Sequence, residues 1–219
     1  MDWSFIGKYI PLYAEAAKFT LKIGMIGILS SIAAGLICSI IVYYKIPVLK
    51  QIVKSYIELS RNTPLLVQLF FLYFGLPKAG IRLSSVSCGI IGLTFLGGSY
   101  MAEAFRSGLE TVSASQKESG LALGFSKSQV MIHIIFPQAI SVSVPAICAN
   151  MIFMIKETSV FSVLALPDLM YVAKDLIGLY YKTDEALFML VAAYLVILLP
   201  ISIIAYIAER RFRHAAYGN

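Results

Sequence analysis

Charge is scarce in this sequence. Asp, Glu, Lys and Arg make up 14% of 219 residues, against about 25% in an ordinary soluble domain. The 59% hydrophobic content and mean hydropathy of +0.81 point the same way, to a membrane protein. No G-x-x-x-x-G-K-[ST] pattern occurs, so the chain has no P-loop for nucleotide phosphates. There are three cysteines, Cys38, Cys88 and Cys148, all in apolar segments and far apart. A disulfide framework or metal site needs closer spacing or more ligands, so small apolar packing is their expected use. Neither a Cys/His finger nor an RNA-binding signature is present. The net charge of +6 therefore fits basic loops facing anionic lipid and cytoplasm, not nucleic acid. A membrane hydrolase needs a nucleophile beside a base. The nearest pattern, Gly97-Gly98-Ser99-Tyr100-Met101, lacks the glycine that completes G-x-S-x-G, so no enzyme is expected. The opening MDWSFIGKYIPLY has no basic region leading into a cleavable apolar core, so no signal peptide is expected.

What the sequence does have is long apolar runs. Crossing a hydrocarbon core takes about 20 such residues. Five spans are expected, at 23–44, about 55–76, 83–102, about 139–158 and 186–208. The second is polar at first (Glu58, Arg61, Asn62, Thr63) and contains Pro64, which is expected to kink it. The third carries Gly92, Gly97, Gly98 and Ser99, a small-residue face for close helix packing or a passage. Pro200 falls inside the fifth, and the mixed segment 159–185 reads as short surface or re-entrant helices. Five crossings put the termini on opposite sides. With the N-terminus outside, ten Lys and Arg residues lie inside and seven outside. The positive-inside rule then favours N-out, C-in, most clearly through Arg210, Arg211 and Arg213 after the last span. The expected fold is a single all-α membrane domain over 1–219.

Residues 113–137, SASQKESGLALGFSKSQVMIHIIFP, stand apart from these spans. Ser115 with Glu118 and Ser126 with Gln129 each have capping-box spacing. Gly124 sits between them, where a helix end favours a left-handed residue, and Pro137 marks the next boundary. Two short helices, roughly 116–123 and 127–135, are expected with a bend at Gly124. On the N-out topology this hairpin is cytoplasmic. It is a surface for something to dock on.

Ionisable groups at membrane depth are costly and by default functional. Glu58 and Arg61 are three residues apart on one helix face and able to pair, the plainer reading being an interfacial helix start. Glu103 closes the third span. Lys156 and Glu157 are adjacent, so they point about 100° apart on a helix. Each either finds a partner on another helix or contacts one end of a zwitterion such as an amino acid. His133 lies among apolar residues and reads as a packed, hydrogen-bonded histidine.

The run Glu118-Ser119-Gly120-x-x-x-Gly124, nine residues, then Ile134-x-Phe136-Pro137 resembles the EAA motif of ABC importer permeases, E-A-A-x-x-x-G, nine residues, I-x-L-P. Ser119 and Gly120 stand in place of the two alanines and Phe136 in place of leucine. Residues 56–77, YIELSRNTPLLVQLFFLYFGLP, are similar to the second span of polar amino-acid permeases, usually R-G-T-P-L-L-V-Q, with Asn62 for the glycine. Ser99-Tyr100-x-x-Glu103-x-x-Arg106-x-Gly108, Pro137-Gln138-Ala139 and Lys156-Glu157-Thr158-Ser159 extend the likeness over nearly the whole chain.

The resemblance implies a permease subunit of a polar amino-acid ABC importer, with the five-span type I (MetI-like) fold, in a bacterial cell membrane. It implies two permease subunits, identical or paralogous, two cytoplasmic ATPase subunits and an extracytoplasmic solute-binding protein. ATP and Mg belong to the ATPase, and this chain binds no cofactor. Glu118, Ser119, Gly120, Gly124, Ile134 and Pro137 are implied to form the coupling helix that sits in a groove of the ATPase. Gln68, Ser99, Glu103, Lys156 and Glu157 are implied to line the substrate path. Glu103 or Glu157 would hold the α-ammonium and Lys156 the α-carboxylate. The motif fits cystine, glutamine, glutamate, histidine and arginine alike. A permease for another solute, such as methionine or an opine, is the alternative. A secondary transporter working alone would have no use for the hairpin and often shows inverted repeats, which are not seen here.

Overall fold

Uninterrupted apolar runs satisfy their backbone within lipid only as helices or closed barrels, and this chain is helical over most of its described length. The computed structural model describes the backbone of residues 1–217 and the side chains of 1–212. Arg213 and His214, in the terminal basic cluster, lie outside the described side chains. The helices run in order: α1 Trp3–Tyr43, α2 Leu49–Arg61, α3 Leu65–Phe70, α4 Ser85–Thr111, α5 Ala114–Ala122, α6 Lys127–Val130, α7 Phe136–Glu157, α8 Leu169–Tyr180 and α9 Thr183–Tyr217. Four helical stretches among the described residues are long and apolar enough to cross a membrane: α1, α4, the run Lys127–Leu164 that contains α6 and α7, and Thr183–Phe212 of α9. The shorter Leu65–Ala79, which contains α3, is also apolar. Large apolar side chains such as Leu29, Ile37, Val196 and Ile204 point outward along α1 and α9, as a lipid-facing surface requires.

The expected second span is not one kinked helix. It breaks between α2 and α3, where Pro64 is extended at φ −58°, ψ 141°. Proline has no N–H for the carbonyl of Ser60, and side chains take over the orphaned acceptors. The Gln68 amide donates to Ser60 O (3.2 Å) and Thr63 O (3.0 Å), the Thr63 hydroxyl to Leu59 O (2.6 Å), and the Asn62 amide to Glu58 O (2.8 Å). Polar residues that read as an interfacial start thus close a break.

Pro137 also behaves differently from its expected role as a boundary. The helix runs through it from Lys127 to Glu157, with a π turn over Met131–Ile135 just ahead of it. In that turn the Phe136 N–H reaches Met131 O. The wider turn shifts the hydrogen-bond register before the residue that cannot donate. The same device precedes Pro77, where the Leu76 N–H reaches Phe71 O.

α4 is the central post, packed against α1 and α7. Its small residues serve this packing. A Cβ on Gly97 would strike Ser31 and Met154, and one on Gly108 would strike Ser143 and the Ala139 carbonyl. The expected mixed segment forms a short 3-10 stretch, Thr158–Leu164, followed by α8. The far end of the bundle is clamped by polar contacts. Asp2 N donates to Glu185 (2.8 Å), Lys182 to Asp2 (3.3 Å) and the Tyr13 hydroxyl to Ala186 O (2.8 Å).

Candidate functional site

The hairpin between α4 and α7 is built by local chemistry. α5 ends in paired hydrogen bonds, Phe125 N to Gly120 O (3.2 Å) and Gly124 N to Leu121 O (3.0 Å). This is a Schellman ending, with Gly124 at φ +88° supplying the left-handed residue. Ser126 then caps α6 in a full capping box: Gln129 N donates to Ser126 Oγ (3.3 Å) and Ser126 N to Gln129 Oε1 (2.8 Å). The first expected box does not form. α5 begins one residue after Ser113, whose backbone is already extended, so Ser115 lies inside the helix and its hydroxyl meets that of Ser113 at 3.0 Å.

Gly120 is buried where α5 crosses the π turn, and a Cβ there would meet Ile134 Cδ1 at 2.6 Å and Val130 Cγ2 at 3.0 Å. The Gln138 amide ties the two arms, donating to Gln116 Oε1 (2.6 Å) and Ile134 O (2.7 Å). Beneath them Val130 and Ile135 join Leu109 and Ala139 in a small core. The outer surface of this braced hairpin carries an apolar patch: Leu121, Leu123, Phe125 and Ile132 are exposed, Leu123 at 79%. Glu118, Ser119 and Pro137 are exposed beside them. His133 is exposed too, not packed as its apolar neighbours led one to expect, because the π turn rotates it off the buried face.

The charged residues of α2, α4 and α7 meet around Arg61. Its guanidinium lies 3.8 Å from Glu103 and sits over the Tyr100 ring at 5.3 Å. The expected Glu58–Arg61 pair is absent, since Glu58 accepts instead from the Asn62 amide (3.2 Å). Glu103 is held by Arg106 at 2.7 Å, and Arg106 also holds Glu110 at 2.6 Å. A recess of about 380 Å³ opens at the helix break, lined by Arg61, Asn62, Pro64, Tyr100, Phe153 and Glu157 among others. Glu157 has no ion-pair partner there among the described residues.

The five expected path residues are not gathered together. Glu157 lines this recess, whereas Glu103 faces a neighbouring cavity that Arg61 also lines. Ser99 is fully buried, donating to Leu96 O (2.7 Å) and accepting from Ser60 (3.0 Å). Gln68 closes the break and borders an apolar cleft. Lys156 is exposed and does not line the recess. Sequence reasoning missed Arg61 and Tyr100 as recess residues, and Leu123 and Phe125 as the apolar tip. The tip was readable, since two apolar residues flanking a helix-ending glycine in a polar segment face solvent.

The chain is a helical membrane protein that exposes a braced hairpin with apolar residues at its tip, beside two of its membrane-length helices. Comparison with known proteins makes this specific. Residues 28–214 match the model of the binding-protein-dependent transport system inner membrane component family, and the chain belongs to that family. It is 34% identical over 212 residues to the probable glutamine ABC transporter permease protein GlnM of Bacillus subtilis, covering 96% of this chain and 98% of that one. It is 30% identical over 214 residues to the glutamine transport system permease protein GlnP of Escherichia coli, covering 97% and 98%. The crystal structure of an amino acid ABC transporter with histidines superimposes with a TM-score of 0.89 at 32% identity, over 96% of this chain and 99% of that one. An inward-facing MetNI methionine ABC transporter shares the fold, with a TM-score of 0.80 at 16% identity over 94% and 98%.

Proposed function

We propose that the chain is the permease subunit of an ATP-driven importer of a polar amino acid, working by alternating access. The observation that carries this reading is the hairpin: a Schellman ending and a capping box hold it stiff, and it offers Leu121, Leu123, Phe125 and Ile132 to a partner. A stiff element transmits a push. If nucleotide energises transport, a partner must bind it, because the chain has no phosphate-binding loop of its own. The partner is a pair of cytoplasmic ATPase subunits carrying ATP and Mg. The EAA-like residues Glu118, Ser119, Gly120, Gly124, Ile134 and Pro137 form the coupling element. The glutamine permeases and the amino acid transporter among its relatives support an amino acid as cargo. A second permease subunit completes the passage, and an extracytoplasmic binding protein delivers the solute. The broken α2–α3 segment makes the fifth crossing, with the N-terminus outside and the C-terminus inside.

Within the chain, the recess at the helix break is the substrate station. Its volume lies in the range of small-ligand pockets, about 300–1,000 Å³. Arg61 faces it to take an α-carboxylate and Glu157 to take an α-ammonium, with Tyr100 and Phe153 as apolar walls. Arg61 thus replaces Lys156 as the carboxylate ligand. Ser99, Gln68 and Glu103 act behind this pair: Gln68 fixes the geometry of the break and Glu103 orients Arg61. The test is a photo-crosslinker at position 123. The adduct should be the ATPase and should disappear when the ATPase gene is deleted. An adduct with lipid alone would reject the docking surface.

A further inference from the structure

The cavity beside the recess holds three lysines that the substrate station does not use. It measures about 580 Å³ and lies between the end of α1, α2 and the end of α4. Lys45, Lys50, Lys54, Arg61 and Arg106 line it, against Glu58, Glu103 and Glu110. Arg106 already holds both Glu103 and Glu110, and Glu58 is engaged by Asn62. The three lysines have no ion-pair partner within 4 Å among the described residues. A water-sized gap would leave them merely solvated. A cavity of this size lined by three lysines without ion-pair partners instead suits a phosphate.

Its surroundings decide where that phosphate comes from. Lys45 sits in the tight turn after a membrane-length helix, and Tyr44, Ile46 and Val48 around it are exposed. α2 buries Val53, Ile57 and Ser60 and turns Leu49, Ile52 and Leu59 outward. A turn that ends a membrane-length helix and exposes aromatic and apolar residues lies at the membrane surface. The mouth of the cavity is therefore at headgroup depth. We propose that this cavity binds the phosphate headgroup of an anionic phospholipid, with Lys45, Lys50 and Lys54 as its ligands. On the N-out reading proposed above the leaflet is the cytoplasmic one, but the lipid site itself does not depend on that reading or on the cargo.

The test uses the full chain purified from membranes containing phosphatidylglycerol and phosphatidylcholine, with retained lipid counted by native mass spectrometry. Each lysine near an anionic headgroup contributes about a fivefold preference, so three together give on the order of a hundredfold. The wild type should keep phosphatidylglycerol in preference to phosphatidylcholine. Replacing Lys45→Gln, Lys50→Gln and Lys54→Gln together should abolish that preference, while Lys→Arg at the same three positions should retain it. These side chains are at the surface, and an unchanged thermal transition of the Gln variant would show that folding is not the cause. Equal retention of the two lipids by the wild type, or undiminished preference in the Gln variant, overturns the proposal. Displacement of the lipid by millimolar inorganic phosphate also overturns it, because the site would then belong to a soluble anion.

Discussion

Replacing Gly124→Asp separates the fold of the hairpin from its docking. The backbone there is left-handed at φ +88°, and a Cβ would meet nothing within 4 Å. The only internal cost is therefore conformational, about 1 kcal/mol for a residue other than glycine. Set against a typical 5–15 kcal/mol of stability, that leaves a folded, inserted chain whose Tm falls by about 2–4 °C. The cost to docking is larger. The new carboxylate stands between Leu123, 79% exposed, and Phe125, 40% exposed. If these two are buried in a partner, the charge is buried unpaired, at about 3–5 kcal/mol, which weakens binding by two orders of magnitude or more. The assay is co-purification of the ATPase with the variant, followed by ATP-driven uptake in proteoliposomes. The expected result is normal chain yield, lost ATPase retention and lost uptake. Gly124→Asn carries a similar backbone cost without the charge, and should lose far less. Full uptake by the Asp variant would refute the docking assignment, and a chain that failed to fold would refute the claim of open space.

Three further outcomes follow from the structure. Gly120→Ala should be nearly neutral, since the flexible end of Ile134 can move aside and Ala gains about 1 kcal/mol of helix propensity; Gly120→Leu should cost about 1–3 kcal/mol by overpacking against Val130, and a lower ratio of uptake to ATP hydrolysis for Leu alone is the check. Arg61→Gln and Glu157→Gln should each raise KM for the amino acid by about tenfold or more, a charge-assisted hydrogen bond being worth about 1.5–3 kcal/mol, whereas Lys156→Gln should leave KM unchanged; equal effects from all three would remove the recess from the path. Asp168, which caps α8 through the Met170 and Tyr171 N–H groups, is buried in the segment that joins the last two membrane-length helices, and desolvation raises its pKa to about 6. The folded state then holds the proton more tightly than the unfolded one, so stability is lost as pH rises from about 4 to about 6 and stays lower above that. Asp168→Asn has one carbonyl oxygen for the two N–H groups, so it keeps only part of the cap but removes the titration; thermal unfolding from pH 4 to 8 should slope for the wild type, by up to about 3 kcal/mol, and be flatter for the variant, and parallel curves would sink the idea.

Features fixed by neighbours in sequence were the ones that could be read from it. Gly124 and the Ser126–Gln129 box declare themselves by residue type and spacing, and the structure has both. Ser115 and Glu118 have the same spacing, yet an extended Ser113 starts the helix earlier; one pattern fits two registers, and packing chooses. Pro137 reads as a stop only if the helix keeps its usual turn, and the π turn before it removes that need. The rest depended on distant residues. Arg61 reaches Glu103 and Tyr100 on another helix, and spacing along α2 shows only Glu58. The resemblance implied Gln68 for the substrate path, but its amide supplies the donor that Pro64 withholds. The small residues of α4 were ambiguous between packing and passage until Ser31, Met154 and Ser143 were seen against them.

The most direct measurement is uptake of labelled amino acids into proteoliposomes that hold this chain, its cognate ATPase and its binding protein. A panel of cystine, glutamine, glutamate, histidine and arginine should include at least one that accumulates only with ATP inside, only with the binding protein outside, and not with the Gly124→Asp chain. Accumulation without ATP or without the ATPase subunit would contradict the account.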